Sequence, residues 1–242
     1  MGDIYLEHLD ALISAQWQSI FASALAPEVE KILNSKDKRI YALYMCQVYH
    51  YAYHTPRSLA QAAANLFNED LRLMHHFLEH AVEENGHDMM AYHDLKSMGI
   101  PLNSREDMPP PLTSTETMIA YVKFLSLSKE PFRSLGYHYW IEQPYQYIET
   151  FMQTLCDILR LEESQFLFYK NHKRIDAKHG KDVQAILIDY CKTEQQWESV
   201  YNVTMTTMKQ FMNIIIEIIE EYYKLKTGQD SSYKILNAVV TE

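Results

Sequence analysis

Apolar residues recur at three- and four-residue spacing along most of the chain, which predicts helices rather than strands. Between residues 13 and 33, Trp17, Ile20, Phe21, Ala24 and Leu25 keep this period, and residues 34–37 read as a turn. A tyrosine-rich apolar segment runs from 39 to about 53. Thr55-Pro56 then fits an N-cap followed by proline in the first turn, opening a short helix through 64. Asn68-Glu69-Asp70 opens a longer helix to 98, with Gly99 as its stop. Residues 101–112 hold four prolines and form the clearest loop, either a connector or a lid over a pocket. Further helices are expected from about 114 to 128, and from 132 to 159 with a bend or break at Pro144. Two more run from 161 to 179, stopped by Gly180, and from 183 to 226, ended by Gly228. The run Ile214-Ile215-Ile216 favours a strand locally, but Glu217, Glu220, Glu221 and Lys224 on neighbouring turns keep it helical. Residues 231–242 read as a surface tail or an arm packed on a neighbour.

Composition agrees with an all-α chain. Only 6 Gly and 8 Pro punctuate 242 residues, and no glycine-rich phosphate loop occurs. Neither a linker nor a repeat is visible. The expectation is therefore a single helical domain over 1–242, with seven or eight helices. A net charge of −10 argues against nucleic acid as a partner, because that surface needs a basic stripe. Cys46, Cys156 and Cys191 are far apart and form no disulfide framework, which fits a reducing compartment. The N-terminus is acidic where a signal peptide would be basic, and charge interrupts every long apolar run. The expectation is a soluble cytoplasmic protein with no membrane partner. A homodimer is expected only from the commonness of closed twofold assemblies.

The chemistry concentrates in three places. NHKRIDAKHG puts His172, Asp176 and His179 at i, i+4 and i+7, on one helix face. Imidazole and carboxylate together suit iron, manganese or zinc. The competing reading is a solvated helix face, since Lys170, Lys173, Arg174, Lys178 and Lys181 surround these residues. LEHAVEENGHD places Glu84 three residues before His87, but Glu83 with His87 and His80 with Glu84 compete, and spacing does not choose. Glu142 lies among Tyr137, Tyr139, Trp140 and Ile141. If it points inward, it needs a proton, a cation or a metal. The set Glu84, His87, Glu142, His172, Asp176 and His179 offers three carboxylates and three imidazoles, so its charge nearly balances two divalent ions. Facing helices of a bundle build two-metal sites from such Glu and Glu-x-x-His elements, although His-x-x-x-Asp-x-x-His here replaces the second Glu-x-x-His.

With these motifs, the sequence resembles the haem-oxygenase-like diiron oxidases, or iron-containing redox enzymes, which are relatives of the TenA and PqqC proteins. The resemblance spans roughly residues 35–225 and rests on an ordered set of motifs. These are Val48-Tyr49-His50-Tyr51 with His54-Thr55-Pro56-Arg57, the stretch HAVEENGHDMMAYHDLKSMG, Leu135-Gly136 before Glu142, and the His172/Asp176/His179 triad. It implies a compact helical fold holding two irons per chain and using O2 as cosubstrate. Glu84, His87 and His172 would serve one iron. Glu142, Asp176 and His179 would serve the other, with Glu84 or another carboxylate bridging. Some relatives take the first glutamate from two turns before the histidine, where this chain has His80. The implied substrates are small organic molecules such as amino acids or fatty acids. Tyr49, Tyr53, Tyr137, Tyr139 and Trp140 are candidate pocket residues; His50, His54, His75, His76, His93 and His138 read as supporting, core or surface residues.

Other classes fit parts of the pattern. A metal-free TenA- or PqqC-like enzyme would need organic-ligand or cysteine chemistry, yet none of the three cysteines has catalytic surroundings. A haem enzyme would need an axial histidine and has little use for so many carboxylates. A non-enzymatic helical ligand-binding protein would treat the histidine–acid clusters as ordinary polar networks.

Overall fold

Buried Leu6, Leu9, Ile13 and Trp17 mark one face of α1 (Gly2–Phe21), which opens a bundle of ten α-helices among the described residues. The structure, a computed structural model, describes residues 2–66 and 70–239; the side chains of Tyr145 and of residues 174–177 fall outside that set. The expected helix over 13–33 is two helices. Pro27 starts a new first turn, giving α2 (Ala26–Asn34).

α3 (Arg39–Asn65) is one continuous helix, although Thr55-Pro56 had the signature of a start. Proline removes one intrahelical N–H, but Tyr49, Ala52, Leu59 and Ala62 are buried on both sides of Pro56. Packing therefore overrides the local break. A helix buried nearly all round belongs at the centre of a bundle, and α3 contacts most of the helices that follow.

Residues 68 and 69 lie outside the described set, but Asp70 does cap α4 (Leu71–Glu83), accepting from the Arg72 and Leu73 amides. The expected single helix to 98 breaks after Glu84, and α5 (His87–Ser97) follows, with Gly99 at φ +87° beyond its end. The proline-rich segment contains a short 3-10 turn, Arg105–Asp107. It is tied to α3: the His50 ring donates to the Pro109 carbonyl (2.7 Å), and buried Gln47 accepts from the Leu112 amide (2.9 Å). Next come α6 (Thr113–Ser126), α7 (Leu135–Ile141) and α8 (Tyr145–Leu159), with Pro144 interrupting as expected.

α9 (Leu167–Tyr190) passes straight through Gly180, and α10 (Glu194–Thr227) starts later than expected at the Thr193 cap. Gly180 is a point of close approach rather than a stop. A Cβ there would sit 2.7 Å from Gln143 Cγ, at the α7–α8 corner. The isoleucine run of α10 is helical, and Gly228 closes that helix at φ +72°. A 3-10 turn, Lys234–Ala238, follows, with Tyr233, Leu236 and Val239 buried.

The central packing is α3 against α4, α5, α6 and α10, and α9 against α4, α5 and α7. α7 lies almost backbone-to-backbone on α10. The Thr204 hydroxyl donates to the Gly136 carbonyl (2.8 Å), and the Trp140 indole donates to Thr207 (2.8 Å). No helix among the described residues is long and apolar enough to cross a membrane.

Candidate metal centre

Four elements bring the candidate donors together. His80 lies in the last turn of α4, and Glu84 caps its end. Asn85 and Gly86 turn the chain, Gly86 taking φ +98°, and His87 begins α5. The turn thus does what adjacent helical turns were expected to do: it holds Glu84 Oε2 3.1 Å from His87 Nδ1. Glu142 caps the end of α7, its amide bonded to the His138 carbonyl (3.0 Å). His172 and His179 come from α9. Asp176 lies between them on α9, and its side chain is outside the described residues.

The donors form two buried clusters that share one residue. His80, Glu84, Glu142 and His179 make the first; Glu84, His87 and His172 make the second. In each, one ligand atom per residue lies within 4.8 Å of the others. Around an ion with bonds of about 2.1 Å, donors stand up to about 4.2 Å apart, so small side-chain movements complete either sphere. In the first cluster His179 Nδ1 is 3.3 Å from both Glu84 Oε1 and Glu142 Oε2, and His80 Nε2 is 3.2 Å from Glu142 Oε1. In the second, the His87 and His172 rings are 4.5 Å apart.

The donor set fits a cation better than it fits itself. His80 Nε2, Glu84 Oε1 and His87 Nδ1 are buried without a hydrogen-bond partner among the described residues, despite close oppositely charged neighbours. The contacts are short but misaligned, and such orphaned polar atoms are costly unless something else satisfies them. Carboxylate and imidazole donors, with no thiolate among them, suit iron, manganese or zinc.

Without a metal, protons carry the balance. Burial raises the Glu84 carboxyl, but the close His179 and His87 rings outweigh it and hold the group well below the usual carboxylate range. For Glu142, burial and the charge of Glu84 push up, while His179 and His80 pull it below that range. Burial would lower His179, yet Glu142 and Glu84 raise it to about 10. His179 is therefore an imidazolium wedged between buried carboxylates. His172 is the opposite case, lowered to about 4 by burial and by neighbouring His87, and so neutral.

Surrounding groups orient these donors. Glu83 is half exposed and does not enter either cluster; its Oε2 sits 3.0 Å from His179 Nε2 and its Oε1 accepts from Lys178 (2.6 Å). His172 Nδ1 donates to the Phe168 carbonyl (3.1 Å), leaving Nε2 as its ligand atom. Asp94, buried in α5, accepts from the Leu167 and Phe168 amides (both 3.0 Å) and so caps α9 from a different helix. His138 and His76 flank the His80 ring, at 5.6 and 5.8 Å between centroids, and burial lowers them to about 3 and about 4.

The sequence pointed to Glu84, His87, Glu142, His172 and His179, and these do converge. His80 joins them; its signal was the i, i+4 spacing to Glu84, which did not distinguish it from an ordinary helix pair. Nothing local in the sequence pointed to Asp94.

A narrow cavity of about 70 Å³ opens onto Glu84, Glu142 and His172. Its walls include Trp17, Tyr41, Tyr137, Trp140, Phe168 and Phe211. Of the expected aromatic residues, Tyr137 and Trp140 line it. Tyr49, Tyr53 and Tyr139 do not, and the Tyr139 hydroxyl bonds Asp10 (2.7 Å). No cysteine lines it, and burial raises all three thiols, Cys191 to about 12, the reverse of an activated nucleophile.

Comparison with known proteins agrees with this architecture. A family model described as iron-containing redox enzyme matches residues 42–208. Among solved structures, a domain of unknown function with a heme oxygenase-like fold from Shewanella denitrificans OS217 is 32% identical, with a TM-score of 0.86. The match covers 94% of this chain and 97% of that one. No curated protein matches the chain.

Proposed function

The chain belongs to the iron-containing redox enzyme family, and from that premise we propose that it is an O2-activating non-haem diiron oxidase or oxygenase acting on a small organic substrate. The observation that carries this reading is Glu84, one buried carboxylate common to two donor clusters. A shared carboxylate is what two neighbouring ions require. Glu84, His87 and His172 would hold one iron. Glu84, Glu142, His179 and His80 would hold the other, with Asp176 assigned to it by the family resemblance.

When bound, the two irons would supply electrons and open coordination positions for the reduction of O2. The chain's own residues do the rest. Glu84 and Glu142 offset the metal charge inside a buried site, and the Phe168 carbonyl keeps the His172 ring turned with Nε2 inward. Glu83 Oε2 stands 3.0 Å from His179 Nε2, while Nδ1 of the same ring faces Glu84 and Glu142. The aromatic cavity excludes water and packs an apolar part of the substrate against Trp140 and Phe168, beside Glu84 and Glu142. Its small volume takes only a short apolar fragment of a substrate from the amino-acid and fatty-acid classes that the family resemblance implies.

Anaerobic titration of the full chain with Fe(II) tests the reading. Binding should saturate at about two ions per chain, and the loaded protein, unlike the metal-free one, should consume O2. A folded, helical chain that binds no Fe(II) would overturn it.

A further inference from the structure

The donor clusters have a second approach, lined by residues other than those of the aromatic cavity. A groove of about 1120 Å³ runs between α4 and α9, and its floor includes His80 and His179. The two openings differ in what they admit. The six waters around a divalent ion need about 60–90 Å³ of cavity space by themselves. That would take up the whole of the aromatic cavity, whereas the groove holds it with room to spare.

The groove also offers carboxylates. Glu79, Glu83 and Asp182 line it, opposed by Lys178 and by Arg72, the latter already paired with Asp189. Glu83 stands at the boundary between groove and site: it is 40% exposed, and its Oε2 is 3.0 Å from the ring of His179, which is 3% exposed. Beside that ring lies His80, also 3% exposed, with Nε2 lacking a hydrogen-bond partner among the described residues. An open groove that carries three carboxylates thus reaches two buried histidines, one of them with a nitrogen lacking a partner among the described residues.

We propose that the α4–α9 groove is the loading route for the divalent cations, and that Glu83 is the carboxylate that captures them from water. The proposal rests on the metal-binding reading above. Lys178 occupies Glu83 Oε1 and also lies 3.4 Å from Asp182, so it competes with an incoming cation. Capture displaces the ammonium from Glu83, and passage inward brings the ion to His179 and His80.

Stopped-flow mixing of the metal-free full chain with Co(II), read by the visible absorption of bound cobalt, tests the route. Glu83→Gln should slow uptake about tenfold, because a focused charge raises cation on-rates by that order or more. Lys178→Met should speed it, and Val82→Trp, at an exposed position on the groove wall, should slow it. Ile148→Trp, in the wall of the aromatic cavity, should leave it unchanged. Circular dichroism and final cobalt stoichiometry should match wild type in all four. Slowing by Ile148→Trp alone, or equal rates throughout, would overturn the route. So would a Glu83→Gln chain with normal uptake and faster release, which would mark Glu83 as a positioning residue only. A wild-type chain that takes up no cobalt would instead overturn the metal reading itself.

Discussion

Glu83 and Glu84 are adjacent and chemically identical, yet the structure separates them completely. One helical step rotates a side chain by about 100°, which turns Glu84 into the interior and leaves Glu83 beside Lys178. Glu84 is the residue on which both donor clusters depend, whereas His172 belongs to one of them only. The two substitutions should therefore fail differently. Glu84→Gln should weaken both ions by about 100-fold or more, while His172→Ala should leave about one ion per chain bound with near-normal affinity. Isothermal titration with Mn(II) or Co(II) distinguishes them. Equal loss in both variants would mean that the clusters do not share Glu84. His80 argues at the same scale: a histidine four residues before a glutamate is common on any amphipathic helix, and only burial of both side chains makes it a donor.

Helix ends and helix crossings set the geometry at the next scale. α5 carries His87 and, two turns on, Asp94, whose carboxylate caps the first turn of α9. That cap fixes the axial register of the two helices and so the closeness of His87 to His172. Asp94→Ala should cost about 2 kcal/mol, the upper range for loss of an N-cap, with two half-buried amides left without their acceptor. It should also lower affinity at the His87–His172 site more than at the other. Chemical denaturation and metal titration of the same variant check both, and an unchanged midpoint would refute the capping role. Two helix boundaries also show what local signals miss. Pro56 looked like a helix start but sits inside α3 because burial on both flanks holds the helix together. Gly180 looked like a stop but is required by the approach of Gln143.

For the whole molecule, protons and a bound metal would compete for the same donors. In the metal-free chain His179 holds its proton up to about pH 10, above the ordinary 6.5. A raised histidine pKa contributes stability that is fully present below 6.5 and is lost as pH rises through the folded value. Metal binding at the same ring expels that proton, so binding strengthens over the same interval. Raising the pH from 6.5 toward 8.5 should thus lower the Tm of the metal-free chain slightly and enlarge the Tm gain from a fixed concentration of Mn(II). Thermal melts with and without Mn(II) across that window check this, and a gain that shrinks with rising pH would count against His179 as a donor. The groove reaches His80 and His179 while the cavity reaches Glu84, Glu142 and His172, a division that only the assembled bundle creates.

Helical periodicity, sparse glycine and the three clustered motifs were enough to determine an all-α chain and the residue types able to hold metal, because those signals are local and repeat every few residues. Ten helices among the described residues, where seven or eight were expected, the turn through Gly86, the entry of His80 and the exclusion of Glu83 were decided only in three dimensions. Each depends on which face of a helix a distant segment covers, and one-dimensional spacing leaves that free.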